Sequence, residues 1–153
     1  MNPILFCDLD GVLNDRTYNA AAESTTILPR CVKQLNRVLG ETGCDIVLSS
    51  AWRYLVHAGV MKLAGFECML RSHGVECRHK IVGLTRRDKH IGDLTERGRQ
   101  VFEYVKKHKV GVYAIVDDLD LGFGGMPFVQ TDGKVGMTAS DADKLIELLG
   151  RKK

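Results

Sequence analysis

Four short apolar runs recur along the chain, and amphipathic segments separate them. Each run is continuously apolar rather than alternating, which is typical of strands buried on both faces of a parallel sheet. Such strands separated by helices predict an α/β domain with helices on both sides of the sheet. The predicted strands are residues 3–9, 45–50, 79–85 and 112–118.

The segments between and after these strands have helical periodicity. We expect the second predicted helix to be broken at Gly65, because glycine weakens a helix interior. The third places Val101, Phe102 and Val105 at spacings that favour one buried face. The predicted helices are residues 30–43, 55–74, 95–111 and 138–150.

The composition is that of one folded domain. The chain has 153 residues, of which 44% are hydrophobic and 27% charged, so it can bury a substantial core. No linker, repeat or low-complexity segment divides it, and we treat residues 1–153 as a single domain. The formal net charge of +3 permits a phosphate-bearing partner without requiring one.

Targeting and metal-thiolate patterns are not found. The five cysteines are irregularly spaced and include no C-x-x-C pair, which favours reduced thiols over disulfides or a zinc site. No apolar window reaches the roughly 18 residues that a membrane span needs. The N-terminus also lacks the basic and apolar regions of a signal peptide. We therefore expect a soluble, cytoplasmic protein without membrane contact.

Three of the predicted strands end in polar side chains. Because the carboxyl ends of parallel strands meet at one edge of a sheet, these side chains should lie close together. Several carboxylates gathered in one crevice repel one another unless a cation neutralises them, and oxygen ligands favour Mg²⁺. The polar residues at these ends are Asp8 and Asp10, Ser49 and Ser50, and Asp117 and Asp118.

The spacing of the first acid pair suggests a division of labour. In an extended chain Asp8 and Asp10 project to the same side, while Leu9 points to the other face. One carboxylate can then bind a metal and attack a substrate, while its neighbour handles a proton. Gly11 allows the chain to turn sharply directly after them.

Three segments resemble motifs of the haloacid dehalogenase (HAD) superfamily of phosphohydrolases. Residues 8–14 (DLDGVLN) resemble its motif I, residues 46–50 (IVLSS) its motif II and residues 114–120 (AIVDDLD) its motif IV. More narrowly, residues 46–53, 97–105 and 128–138 resemble a cap-poor HAD group associated with RNA-repair phosphatase modules. The resemblance implies a Rossmannoid three-layer sandwich with a mainly parallel sheet and little or no cap. The Asp132-Gly133 pair adds the expectation of a small late β-hairpin.

The resemblance also implies a mechanism. Asp8 would be the nucleophile that forms an aspartyl-phosphate, and Asp10 the general acid and then the general base. Mg²⁺ would be held by Asp8, by the backbone carbonyl of Asp10, and by Asp117 or Asp118. Ser49 would donate a hydrogen bond to the phosphoryl oxygens.

The resemblance further implies a motif III Lys or Arg that shields the charge between the nucleophile and the phosphate, and its identity is open. We favour Arg97, because it lies in the first turn of the helix before the fourth predicted strand. The other candidates are Lys89, Arg99, Arg86 and Arg87.

Candidates for substrate contact follow the first two motifs. Arg53 could grip a phosphate bidentately, although a surface salt bridge is as good an interpretation. Ser50 adjoins the motif II serine. Asn14 ends the motif I stretch, where a role in the turn is an equal alternative.

The segments where HAD enzymes carry caps are short. Residues 15–28 are too few for a folded cap, and residues 54–95 are too few for a large one. An open site suits a phosphorylated nucleic-acid end. The basic cluster within residues 85–90 (TRRDKH) could contact a phosphate backbone, although a solvated loop is a slightly better interpretation of it. The alternatives are a nucleotide or small-molecule phosphatase and a non-catalytic binding module. The oligomeric state stays open.

Overall fold

The chain folds into a central sheet with helices on both sides. The structure, a computed structural model, describes residues 1–19, 24–49, 59, 62–85 and 96–153. The strands of these residues are β1 (Ile4–Cys7), β2 (Tyr18–Asn19), β3 (Ser24–Thr25), β4 (Asp45–Leu48), β5 (Ile81–Leu84), β6 (Tyr113–Asp117) and β7 (Phe128–Gln130). The helices are α1 (Pro29–Thr42), α2 (Leu63–Ser72), α3 (Glu96–His108) and α4 (Ala139–Leu149).

Strand β1 lies at the centre of a five-stranded sheet. The strand order is β5-β4-β1-β6-β7, and every neighbouring pair is parallel. The register pairs Cys7 of β1 with Leu48 of β4 and with Val116 of β6. The residues that follow these three therefore leave the strands side by side, at the carboxyl edge of the sheet.

The core has one layer on each face of the sheet. Leu5 and Cys7 belong to a buried cluster shared with α1, α2 and α4. Ile4 and Phe6 point to the opposite face and join a second cluster with Val101 of α3. This alternation along β1 follows from the two-residue period of a strand. The α/β class and the three-layer arrangement predicted from the sequence are confirmed.

Local signals set the ends of two helices that flank the sheet. Pro29 occupies the first turn of α1, where its missing N–H costs nothing, and Gly43 ends the helix in the left-handed conformation at φ 66°. At α4, the Thr138 side chain accepts a hydrogen bond from the backbone N–H of Asp141, whose carboxylate accepts the Thr138 N–H in return. This capping box fixes the start of the helix directly after the loop that follows β7.

Two helical details differ from the sequence prediction. Helix α2 runs through Gly65 without a break, because the helix begins only at Leu63 and Gly65 lies in its first turn. The part of the predicted helix before Lys62 lies largely outside the described residues. In α3, Phe102 is 49% exposed beneath the Lys106 ammonium, and Tyr104 packs against the core instead.

The predicted late hairpin is reduced to one antiparallel bridge, between Asp132 and Gly136. The segment before it forms β7, which pairs in parallel with β6 as a fifth strand of the sheet. A two-stranded antiparallel pair of β2 and β3 stands in residues 15–28, which the sequence had suggested were a plain loop. Among the described residues, no helix has the length and apolar composition needed to cross a bilayer.

Candidate active site

The carboxyl edge of the sheet gathers the polar residues that end its central strands. Asp8 follows β1 and donates its N–H to the carbonyl of Val116, at 3.1 Å. Ser49 follows β4 and donates its N–H to the carbonyl of Cys7, at 3.0 Å. Asp117 is the last residue of β6. All three side chains are buried, so the strand register alone brings two acids and a hydroxyl to one place.

Three carboxylates form the centre of this group. One oxygen from each of Asp8, Asp117 and Asp118 lies within 4.8 Å of the others, and all three residues are buried. Buried charges at this spacing repel strongly unless cations lie among them. The predicted meeting of the first and last motifs is thus what the structure has, although the side chain of Asp10 is not in this three-carboxylate group of described residues.

Arg97 supplies a positive charge to two of the three acids. Its Nη1 lies 2.7 Å from Oδ2 of Asp117 and 3.7 Å from Oδ1 of Asp8. Only 17% of the side chain is exposed. The start of α3 packs directly on the loop after β6, because Gly98 touches the carbonyl of Gly122 where any Cβ would collide. That close approach brings Arg97 to the acids.

Of the other candidates for the shielding cation, one lies among the described residues. Arg99 pairs with Glu103 on the exposed side of α3. Arg86, Arg87 and Lys89 lie outside the described residues. Arg97 is therefore the one described candidate that contacts the carboxylates, and its catalytic role stays a prediction.

The turn after β1 is held by the side chain of Asn14. Its Oδ1 accepts the backbone N–H of Gly11 at 2.8 Å and that of Arg16 at 3.1 Å. Its Nδ2 donates to Oδ1 of Asp10 at 3.1 Å. Gly11 adopts φ 77°, which glycine reaches without strain. Asn14 is buried and supports Asp10; a direct contact between Asn14 and substrate stays a prediction.

Ser49 presents a buried hydroxyl to this edge. Its Oγ has no hydrogen-bond partner within the part of the chain that the structure describes. Buried polar atoms are nearly always paired, so a lone hydroxyl indicates a ligand that completes it. Ser50 and Arg53 lie outside the described residues.

Arg16 belongs to the site and was missed by the sequence analysis. Its Nε and Nη2 each lie 2.6 Å from Oδ2 of Asp118, across 102 residues of chain. No periodicity or motif connects the two positions. Thr131, also missed, donates its hydroxyl to the carbonyl of Gly11 at 2.6 Å and ties the loop after β7 to the motif I turn.

Burial changes the proton affinity of the acids. Desolvation raises the pKa of Asp8 well above its usual value, the neighbouring Asp117 raises it further, and Arg97 opposes the shift. Desolvation likewise raises the pKa of Asp117, again against the effect of Arg97. A cation bound among these groups would favour their ionised forms.

The donor set fits a hard divalent cation. All the ligand atoms offered are carboxylate oxygens, which suit Mg²⁺ better than a softer metal. Oδ1 of Asp118 is buried and has no hydrogen-bond partner among the described residues, so this oxygen is available as a ligand for the cation. A contact through the backbone carbonyl of Asp10 stays a prediction.

One comparison with known proteins identifies the chain. A family model described as "HAD domain in Swiss Army Knife RNA repair proteins" matches residues 4–142, from the first strand into the last helix. No curated protein and no solved structure gives a match. The matched range includes every motif residue described above, and it agrees with the resemblance drawn from residues 8–14, 46–50 and 114–120. The chain belongs to the family of HAD domains found in Swiss Army Knife RNA repair proteins.

Proposed function

We propose that this domain is a Mg²⁺-dependent phosphomonoester hydrolase that acts through an aspartyl-phosphate and takes phosphorylated nucleic-acid ends as substrates. The observation that carries the proposal is the surroundings of Asp8. A cationic guanidinium lies at the same edge of the sheet as a buried hydroxyl and a buried carboxylate oxygen, neither of which has a hydrogen-bond partner among the described residues. Phosphoryl transfer needs positioning and charge neutralisation of this kind more than it needs covalent machinery.

In the first step a carboxylate oxygen of Asp8 attacks the phosphorus atom. The P–O bond to the leaving group breaks as the new bond forms, and the leaving oxygen takes a proton from Asp10. Arg97 contacts Asp8 and so can balance charge on the phosphoryl oxygens as they approach. Ser49 can donate its hydroxyl hydrogen to one of those oxygens.

In the second step Asp10 accepts a proton from water, and the oxygen of that water attacks the phosphorus. Inorganic phosphate leaves and the carboxylate of Asp8 is restored. Asp10 is suited to both roles because the Asn14 amide holds one of its oxygens while the side chain stays partly exposed. Mg²⁺ held by Asp8 and Asp118, with Asp117 beside them, would neutralise the phosphoryl charge and orient it for in-line attack.

The nucleic-acid substrate rests on two supports. The family takes its description from RNA repair proteins, and a phosphatase acting in RNA repair would meet phosphorylated RNA ends. In the segment after motif I, the described residues form a short strand pair, β2 and β3, in the place where a larger cap could enclose a small substrate. A nucleotide or other small phosphate ester is the alternative that the experiment must separate.

The test measures phosphate release with Mg²⁺ from 3′-phosphorylated oligonucleotides, mononucleotides and an aryl phosphate. We expect the oligonucleotides to be preferred, and we expect Asp8→Asn to lose activity by more than about a thousandfold, because the nucleophile is gone. The matched control is Asp45→Asn, since Asp45 begins β4 at the opposite edge of the sheet.

Each result has a defined meaning. Activity that survives in Asp8→Asn would contradict the mechanism. Preference for mononucleotides or the aryl phosphate would support a small-molecule phosphatase. No release from any substrate, by a protein that binds Mg²⁺, would favour a non-catalytic binding module.

A further inference from the structure

Arg16 holds one oxygen of Asp118 and leaves the other available. Two of its N–H groups, on Nε and Nη2, meet the same oxygen, Oδ2, at 2.6 Å. The carboxylate is 3% exposed, whereas 48% of the arginine side chain is exposed. A carboxylate oxygen that accepts a charged hydrogen bond from Nε and also forms an ion pair with Nη2 is strongly restricted in orientation.

The second oxygen of Asp118 is unusual. Oδ1 is buried and finds no hydrogen-bond partner among the described residues. Leaving a charged oxygen buried and unpaired is costly, and native proteins keep few such atoms. The same residue is one of the three that bring a carboxylate oxygen within 4.8 Å of the others. Because Asp118 belongs to this group and its Oδ2 is taken by Arg16, we infer that Oδ1 is the oxygen available to a cation.

The contact between Arg16 and Asp118 comes with a strained backbone at one residue and the absence of a side chain at another. Arg16 has φ 63°, a left-handed conformation that is strained for a non-glycine residue. Its N–H is held by Oδ1 of Asn14. A Cβ at Gly133 would lie 2.6 Å from Oδ2 of Asp118 and 3.3 Å from Nε of Arg16, so only glycine leaves room for the pair.

We propose that Arg16 is a positioning residue for the metal site: it fixes Asp118 through Oδ2 so that Oδ1 faces the cation. The inference rests on the proposed function only in that the acid cluster binds a divalent metal. Residues that hydrogen-bond a ligating carboxylate commonly change metal affinity ten- to a hundredfold when they are removed. Arg16 would act in this way from a position partly open to solvent.

Removal of the Arg16 guanidinium has two opposite expected effects on metal affinity, so the direction of the measured change is decisive. A guanidinium near the site repels a cation, so its removal by itself would tighten metal binding. Loss of orientation would weaken it. The proposal states that orientation dominates, and the direction of the change in affinity therefore separates a positioning residue from a mere counter-ion of Asp118.

The experiment titrates the whole domain with Mn²⁺ alone and follows free Mn²⁺ by electron paramagnetic resonance, with Mg²⁺ as competitor. We expect Arg16→Met to bind Mn²⁺ about tenfold more weakly than the wild type. Arg16→Lys keeps the charge and one donor, so its affinity should lie between the two. The matched control is Arg99→Met. It removes a similarly exposed arginine, whose ion pair lies away from the three buried carboxylates, and it should leave the affinity for Mn²⁺ unchanged.

Unchanged or tighter Mn²⁺ binding by Arg16→Met would overturn the proposal. If that variant does not fold, as judged by circular dichroism and thermal unfolding, Arg16→Lys decides alone, and wild-type affinity in it would contradict a positioning role. A wild-type domain that binds no Mn²⁺ would contradict the metal site, and with it both the proposed function and the role of Arg16. Normal wild-type binding with no effect of Arg16 would contradict only the latter.

Discussion

Acidic residues lie at the carboxyl edge of the sheet, where the parallel strands end, and also at the amino edge, where the strands begin. The surroundings of these acids differ between the two edges. At the amino edge, Asp45 accepts a hydrogen bond from Asn2 at 3.1 Å, lies 3.7 Å from the Lys80 ammonium, and keeps 19% of its side chain exposed. At the carboxyl edge, Asp118 is almost fully buried and one of its oxygens has no partner among the described residues.

This difference in surroundings separates acids with a structural role from acids that are candidates for catalysis. Asp45 is an ordinary acid at the start of a strand, since solvent and two neighbours satisfy it. The carboxyl edge instead concentrates three buried carboxylates, with an arginine contacting two of them and another the third. Burying several carboxylates together is unfavourable for folding, and buried acids of this kind cluster at functional sites. The arrangement therefore indicates ligand binding rather than a contribution to stability.

Among the substitutions that test this comparison, the largest effect should come from removing Arg97, the cation that contacts Asp8 and Asp117. Arg97→Met leaves Asp8 and Asp117 without their charged partner and should lower phosphate release by about a hundredfold or more, because charge on the phosphoryl group is no longer balanced. Arg99→Met, two residues further along the same helix, should change phosphate release less than about twofold. Steady-state assays of both variants decide the point, and equal losses would show that Arg97 has no special place.

An intermediate effect is expected from adding one methyl group beside Asp118. In Gly11→Ala the new Cβ collides with the Asp118 carboxylate, and the backbone must hold φ 77° with a side chain. We expect a loss of about 2–4 kcal/mol in the free energy of unfolding, measured by urea denaturation.

The same change in a helix should have the opposite sign. Gly40 lies inside α1, and its Cβ would have no neighbour within 4 Å. Gly40→Ala should therefore raise the free energy of unfolding by about 0.5–1 kcal/mol. Destabilisation by both substitutions would mean that the tight packing around Asp118 is not what distinguishes the carboxyl edge.

The smallest effect should be at the amino edge. Asp45→Asn removes a partly exposed ion pair and should change the free energy of unfolding by less than about 1 kcal/mol, with phosphate release unaltered. Urea denaturation and the phosphate assay check the two parts. A loss of activity here would break the comparison between the edges.

Local patterns in the sequence were enough for the sheet and the position of its acids. Continuous apolar runs predicted β1, β4, β5 and β6, and the parallel topology then brought their carboxyl ends together. These features depend on residues near one another in the chain and on general rules of parallel sheets. That is why Asp8, Ser49 and Asp117 could be predicted to meet.

Features that depend on distant contacts were not predictable in this way. The pairing of Arg16 with Asp118 joins residues far apart in sequence, and its geometry depends on space left by Gly133. Strand β7 is three residues long, and the Asp-Gly pair after it suggested a hairpin, whereas pairing with β6 turned the segment into a parallel edge strand. Phe102 fits helical spacing but lies on the outer side of α3, which only packing decides.

The central claim is that Asp8 carries the phosphoryl group, and the most direct measurement is to trap it there. The domain is mixed with Mg²⁺ and a phosphorylated oligonucleotide, quenched in acid within milliseconds, and reduced with borohydride, which converts an aspartyl-phosphate to homoserine. Mass spectrometry should find the modification in the peptide that contains Asp8, and not in Asp10, Asp117 or Asp118. Continued turnover with no modification at Asp8 would contradict the account.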